Sequence, residues 1–273
     1  MFGLRVVTST LLFFAAFGAA TVAKSADDVT LRAELERVAQ QRILFGHQSV
    51  GINLLEGLSE LYVREGIPIH IVEVKNAGEV GPNMIGQTFL SENEHPLKKI
   101  ISFEQAMGSK PTGLDIAIMK FCFVDFTANT DAKTLFDRYR ATIEGLRTKN
   151  PGTTFVHITA PLHIVEGGLT ARMKYFFGVA PLYGTYENMR REEYNALLRK
   201  EYQGREPFFD LARIESTTPD GATELVKWKG SVVPVMNPIY TNDGGHLNEV
   251  GKIRAARELV SVLSAIPYHK AVR

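Results

Sequence analysis

The chain has 273 residues, 45% hydrophobic and 22% charged, with a formal net charge of +1. That is the composition of a globular protein with ample apolar material for a core. The near-neutral charge argues against a nucleic-acid or acidic-surface partner, and zinc-type cysteine spacing, a P-loop, internal repeats and low-complexity tracts are all missing.

Residues 1–25 have the form of a signal peptide. Arg5 supplies the positive end, Val6 to Ala20 is apolar, and Thr21-Val22-Ala23 and Ala23-Lys24-Ser25 are small-residue cleavage patterns. The competing reading is an uncleaved anchor, since the apolar run is nearly long enough to span a bilayer. Cleavage predicts a periplasmic or secreted protein, with residues 26–273 forming one domain. The leader contains no cysteine, which removes a lipid-anchor reading. Cys122 is the only cysteine in the chain, so no intramolecular disulfide can form and the core must hold the fold.

Leu31–Gln41 predicts a short amphipathic helix. Arg42–Gly57 (RILFGHQSVGINLLEG) follows as a buried strand over Ile43–Phe45, a polar turn over Gly46–Ser49, and a helix from Val50. Gly66 ends that helix, and Ile67–Val74 predicts a second strand. A glycine-rich turn spans Asn76–Asn83, and Leu97–Met107 reads as helical. Asp115–Val124 is an almost wholly apolar third strand interrupted by Lys120. Asp131–Lys149 predicts a helix closed by Asn150-Pro151-Gly152, and Thr154–Thr159 a fourth strand. Residues 163–185 read as an irregular, aromatic-rich loop of the length expected for a lid. Tyr186–Tyr202 is a helix, Pro207–Leu211 a fifth strand, Glu215–Asn242 a long connection, and Leu247–Ala265 the last helix.

Strands alternating with helices predict an α/β protein. The expected architecture is a three-layer α/β/α sandwich around a five-stranded parallel sheet of flavodoxin-like order. In such sheets ligands bind beyond the carboxyl ends of the strands, which is where the first turn places Ser49. Ser49 as a plain helix cap is the competing reading. Near the C-terminus, Asp243-Gly244-Gly245-His246 sets a carboxylate three residues from an imidazole across two flexible glycines. A carboxylate on one ring nitrogen leaves the other free to take a proton from a serine hydroxyl.

These motifs resemble those of the SGNH, or GDSL-type, hydrolase superfamily. ILFGHQSVG stands where that family has its serine block, NAGEVGPN resembles its second block, and TNDGGHLNEVG its last; the resemblance runs over about residues 42–265. It implies Ser49 as nucleophile, His246 as base, Asp243 as the residue orienting the base, and ester hydrolysis or acyl transfer with no metal or other cofactor. Two departures stand out. The acidic residue before the serine is replaced in Gly46-His47-Gln48-Ser49, and Val124 occupies the place of the asparagine that usually completes the oxyanion hole. Losing such a donor costs about 2.7–4 kcal/mol of transition-state stabilisation. The candidates to replace it or to bind substrate are Gly81, Asn83, Asn76, Lys120, His47 and Gln48.

The expected function is thus an exported serine esterase or acyltransferase acting on a small-molecule or polysaccharide ester, an acetylated carbohydrate among them. No nucleic-acid partner is expected, and no membrane partner beyond the leader. The alternatives are a non-catalytic envelope- or carbohydrate-binding protein on the same fold, and a metal-assisted phosphoesterase using His47, Asp243 and His246.

Overall fold

The structure is a computed structural model that describes residues 26–267; the leader expected at 1–25 lies outside the described residues. After α1 (Ala26–Val38) the chain enters β1 (Arg42–His47) and turns directly into α2 (Ser49–Glu65). It continues through β2 (His70–Glu73), β3 (Met84–Phe89), α3 (Pro96–Met107), β4 (Ile116–Met119), α4 (Ala132–Lys149) and β5 (Thr154–Ile158). The second half holds α5 (Leu169–Phe176), α6 (Thr185–Tyr202), β6 (Phe208–Phe209), α7 (Leu211–Ser216), β7 (Leu225–Trp228), β8 (Ser231–Pro234) and α8 (Glu249–Ser264).

Among the described residues, six strands form one parallel sheet in the order β2-β3-β1-β4-β5-β6. Residues alternate between its faces, as a pleated strand requires. Ile43, Phe45, Ile116 and Ile118 point to one side, against α1, α2, α7 and α8. Leu44, Ala117 and Met119 point to the other, against α3, α4 and α6. The result is the expected α/β/α sandwich.

The expected strand count is corrected from five to six. β3 lies between the first and second expected strands and pairs with β1 on one side and β2 on the other. Its sequence, MIGQTF, carries a glycine and a glutamine and lacks the β-branched run of a buried strand. Pairing on both edges, which is a tertiary effect, makes it a strand. Three smaller corrections follow the same pattern. β4 stops at Met119, so Lys120 lies beyond the strand. The stretch expected to be irregular at 163–185 contains the two-turn helix α5. The connection at 215–242 contains the antiparallel hairpin β7–β8. Lys229 and Gly230 both take positive φ, 49° and 85°, at the hairpin's two-residue loop. That is the type I′ geometry usually marked by Asn-Gly rather than Lys-Gly.

One contact fixes the two helices that begin at the sheet's carboxyl edge. α2 and α8 approach so closely at Gly57 that a Cβ there would lie 2.4 Å from the carbonyl oxygen of Lys252. Backbone cannot yield as a flexible side chain can, so only glycine fits. Gly57→Val should therefore lower stability by about 1–3 kcal/mol, the usual cost of overpacking. The urea midpoint of unfolding measures this; an unchanged midpoint would show that the helices separate without cost.

Candidate active site

β1 runs on through His47, and the extended backbone of Gln48 (φ −138°, ψ −158°) serves as the N-cap of α2 without a side-chain capping bond. Ser49 is therefore the first residue of the helix and not its cap. Its hydroxyl is left for other work, and its N–H is one of the helix's unsatisfied amino-terminal donors.

The C-terminal motif arrives from the other end of the chain. Asp243 Oδ1 accepts the N–H groups of Gly245 (3.0 Å) and His246 (2.8 Å) and the Thr241 hydroxyl (3.2 Å). Its Oδ2 lies 2.6 Å from His246 Nδ1, and His246 Nε2 lies 2.9 Å from Ser49 Oγ. With Nδ1–H donating to the carboxylate, the Nε2 lone pair faces the serine proton. Burial alone would raise the Asp243 carboxyl, but hydrogen bonds from the His246 and Gly245 amides and the His246 ring outweigh it and hold the acid well below the usual carboxylate range. Asp243 thus remains an anion beside the imidazole.

A residue that the sequence reading passes over secures this meeting. Asn53, one turn along α2 from Ser49, accepts the Leu247 N–H at 3.1 Å through its Oδ1. Its spacing of four from Ser49 puts the two on one helix face, but that signal does not distinguish it from an ordinary surface asparagine. Phe123 packs its ring against His246 (centroids 5.4 Å, 78°) and also against His163 (5.4 Å). Cys122 Sγ lies 3.8 Å from Ser49 Oγ but is buried.

Gly81, Asn83 and Asn76, expected around an oxyanion hole, do not gather there. Gly81 and Asn83 immediately precede β3, whose Met84 pairs with Arg42 at the start of β1, so they sit at the rim opposite Ser49. Asn76 lines a surface cleft with Met107–Thr112, the segment that leads into β4, at that same rim. The reason is the inserted strand: β3 takes the place beside β1, so the loop on the serine side is 90–95 and not 76–83. Lys120 is fully buried and donates to the Phe121 carbonyl at 2.7 Å; burial lowers its pKa to about 8. Asp125 is paired with Lys99.

His47 is fully buried too. Nδ1 lies 2.9 Å from the Gln48 carbonyl and Nε2 3.0 Å from the Gln87 side chain. Burial is the main cause that brings its pKa down to about 4. In the neutral ring Nδ1–H donates to the Gln48 carbonyl and Nε2 is an acceptor, so the Gln87 amide, whose Oε1 stands at Nε2, satisfies the ring only when turned over to present its N–H. α2 has glycine at position 51 because a Cβ there would lie 2.3 Å from this ring. His47 is therefore a packing residue beneath the serine turn, and it does not join Asp243 and His246 in a ligand set. Among the described residues no cluster of three or more His, Cys, Asp or Glu could hold a metal ion.

Two loops frame Ser49, and both are wired to one buried ion pair. Asp125 Oδ2 accepts Lys99 Nζ (2.7 Å) and the Cys122 N–H (2.6 Å), while Oδ1 accepts the Glu94 N–H (3.0 Å). Lys99 also donates to Asn93 Oδ1 at 2.7 Å. Gln48 Nε2 donates to the carbonyls of Leu90 and Ser91. Across Phe123 from His246 opens a cavity of about 260 Å³, lined among others by Glu94, Val124, His163, Tyr183, Glu187 and Arg191. Arg191 is committed to the Phe123 carbonyl and to Asn188. Glu94 holds φ at 69°, a left-handed backbone that a non-glycine residue rarely adopts and that concentrates at functional sites. Behind the cavity Glu215 is buried, with Oε2 accepting the Leu162 N–H and Oε1 unpartnered; burial raises its pKa to about 8.

No family model and no curated protein matches the chain. Among solved structures it is similar to a GDSL-like lipase from Bacteroides thetaiotaomicron, at 12% identity and a TM-score of 0.48 over 85% of this chain and 98% of that one. It is also similar to the periplasmic domain of a lipopolysaccharide acetyltransferase from Salmonella ser. Paratyphi A, at 14% identity and a TM-score of 0.43 over 89% of this chain and 97% of that one.

Removing one member of a buried ion pair leaves an uncompensated charge and typically costs about 3–5 kcal/mol. Lys99→Met should destabilise by that order. Adding Asp125→Asn to it should cost less than the two single changes summed, read from urea unfolding of all three variants. Strict additivity would show that the pair does not couple the loops.

Proposed function

We propose that this protein is an exported serine esterase or acyltransferase, with Ser49 as nucleophile, His246 as general base and Asp243 as the residue that orients and stabilises it. The observation that carries the reading is the unbroken chain from Ser49 Oγ to His246 Nε2 (2.9 Å) and from His246 Nδ1 to Asp243 Oδ2 (2.6 Å). A serine hydroxyl is a weak nucleophile until a base takes its proton, and the base works only in the right tautomer. As Oγ attacks the ester carbonyl, its proton passes to Nε2, and the imidazolium that forms is stabilised by the Asp243 carboxylate. Collapse of the tetrahedral intermediate returns that proton to the leaving alkoxide. The acyl group then sits on Ser49, and water, or a second hydroxyl, removes it through the same imidazole.

The oxyanion needs donors that Val124 cannot supply from its side chain. The Ser49 N–H at the head of α2 is one. For the second we propose the Asn93 side-chain amide. Its oxygen is held by Lys99, which leaves the N–H₂ end free, and it lies on the loop beside the serine turn. The cavity beyond Phe123 supports an alcohol portion rich in hydroxyls, such as a sugar. The Glu94 and Glu187 carboxylates can accept hydroxyl protons there, and Phe123 and Tyr183 offer aromatic faces.

A fluorophosphonate probe should label the protein on Ser49, and Ser49→Ala should abolish both labelling and turnover of short-chain acyl esters. Absence of labelling, under conditions that label a reference serine esterase, would leave a binding protein. Asn93→Ala should lower kcat by about 10²–10³ while labelling persists, the usual loss for one oxyanion donor. An unchanged kcat would assign that role elsewhere.

A further inference from the structure

The segment leading from β5 to α6 carries an apolar surface that the proposed chemistry does not use. No residue of α5 is buried. Leu169 is 78% exposed, Phe176 83%, and Phe177 and Val179 70% each, with Met173 beside them at 54%. Isolated exposed apolar residues are ordinary, but large ones concentrated in eleven positions of one segment mark an interaction surface. The segment is not a loose flap. Tyr175 stacks on Trp228 (centroids 5.9 Å) and its hydroxyl donates to the Lys227 carbonyl at 2.6 Å, which fastens α5 to the β7–β8 hairpin. Val226, Val233 and Val235 form a small core beneath them.

The charge on this unit is predominantly positive, with two exposed carboxylates, Glu166 and Glu224, at its edge beside Arg172. Residues 167–183 contain Arg172 and Lys174 and no acidic residue, and residues 225–234 contain Lys227 and Lys229 and no acidic residue. All four cations are exposed. We propose that this face docks on an anionic lipid bilayer, with the Phe176–Phe177 pair entering the interface and the four cations meeting the headgroups. Aromatic and aliphatic side chains flanked by Lys and Arg are the chemistry of interfacial binding, where apolar burial and attraction to anionic lipid add. A second copy of the chain is a poorer occupant, since four cations against the two edge carboxylates leave both partners' faces with a net positive charge. The segment ends at Tyr183, which lines the cavity beside the triad, so a docked molecule would hold that cavity close to the bilayer.

The test is co-sedimentation of the full chain with vesicles of equal parts phosphatidylglycerol and phosphatidylcholine, and with vesicles of phosphatidylcholine alone. Binding is expected to the anionic vesicles, to fall with added salt, and to weaken by at least about tenfold both in F176S/F177S and in R172Q/K174Q/K227Q/K229Q. Circular dichroism and turnover of a soluble short-chain ester check that both variants stay folded. Every variant keeps residues 1–25, so binding through the N-terminal segment would survive both sets of changes and would overturn the proposal. Equal binding to both vesicle types, or an F176S/F177S-sensitive dimer in sedimentation velocity without vesicle binding, would also overturn it.

Discussion

The closeness of α2 and α8 is the constraint on which the site depends. Each helix begins at the carboxyl edge of the sheet, one immediately after Gln48 and the other shortly after His246. Gly57 allows the backbone of one to rest on the backbone of the other, and Asn53 then holds the Leu247 amide. With the helices locked in register, a hydroxyl at the head of α2 and an imidazole just before α8 have little freedom to separate. The geometry is thus set by backbone packing several residues away from the reacting atoms, the kind of rigid support that a preorganised site requires.

A second layer of order is electrostatic. Asp125 gathers an ammonium and two backbone amides in a fully buried position, so it ties the loop after β3 to the turn after β4. A buried pair of this kind does little for net stability, because desolvation offsets its attraction, but once made it tolerates few alternative arrangements. Its cost is spent on holding two loops around the serine. Burial acts on two groups nearby as well, lowering the pKa of His47 beneath the serine turn and raising that of Glu215 behind the cavity.

The unit formed by α5 and the hairpin differs in kind. It has its own small core, contributes Tyr183 to the cavity, and turns apolar and cationic side chains outward. A surface of that composition is costly to leave against water, and this is the ground for the proposed bilayer interface.

Much of this was legible from residues alone. The hydrophobic runs at Ile43–Phe45 and Asp115–Met119, the helical stripes, and the Asp-Gly-Gly-His spacing follow local rules of period and turn chemistry, and they yielded the layered fold and both halves of the Ser49–His246–Asp243 arrangement. Local rules could not identify β3, whose strand state comes from neighbours on both edges. That one insertion moved Gly81, Asn83 and Asn76 to the far rim and put Leu90–His95 beside the serine. Nor could they tell Lys120 and His47 from substrate-binding residues, because burial is a property of the assembled layers. The chain's own pattern determined which groups meet; tertiary packing decided which of the remaining polar residues face the cavity and which lie beneath it, since strand order and burial arise from contacts between segments far apart in sequence.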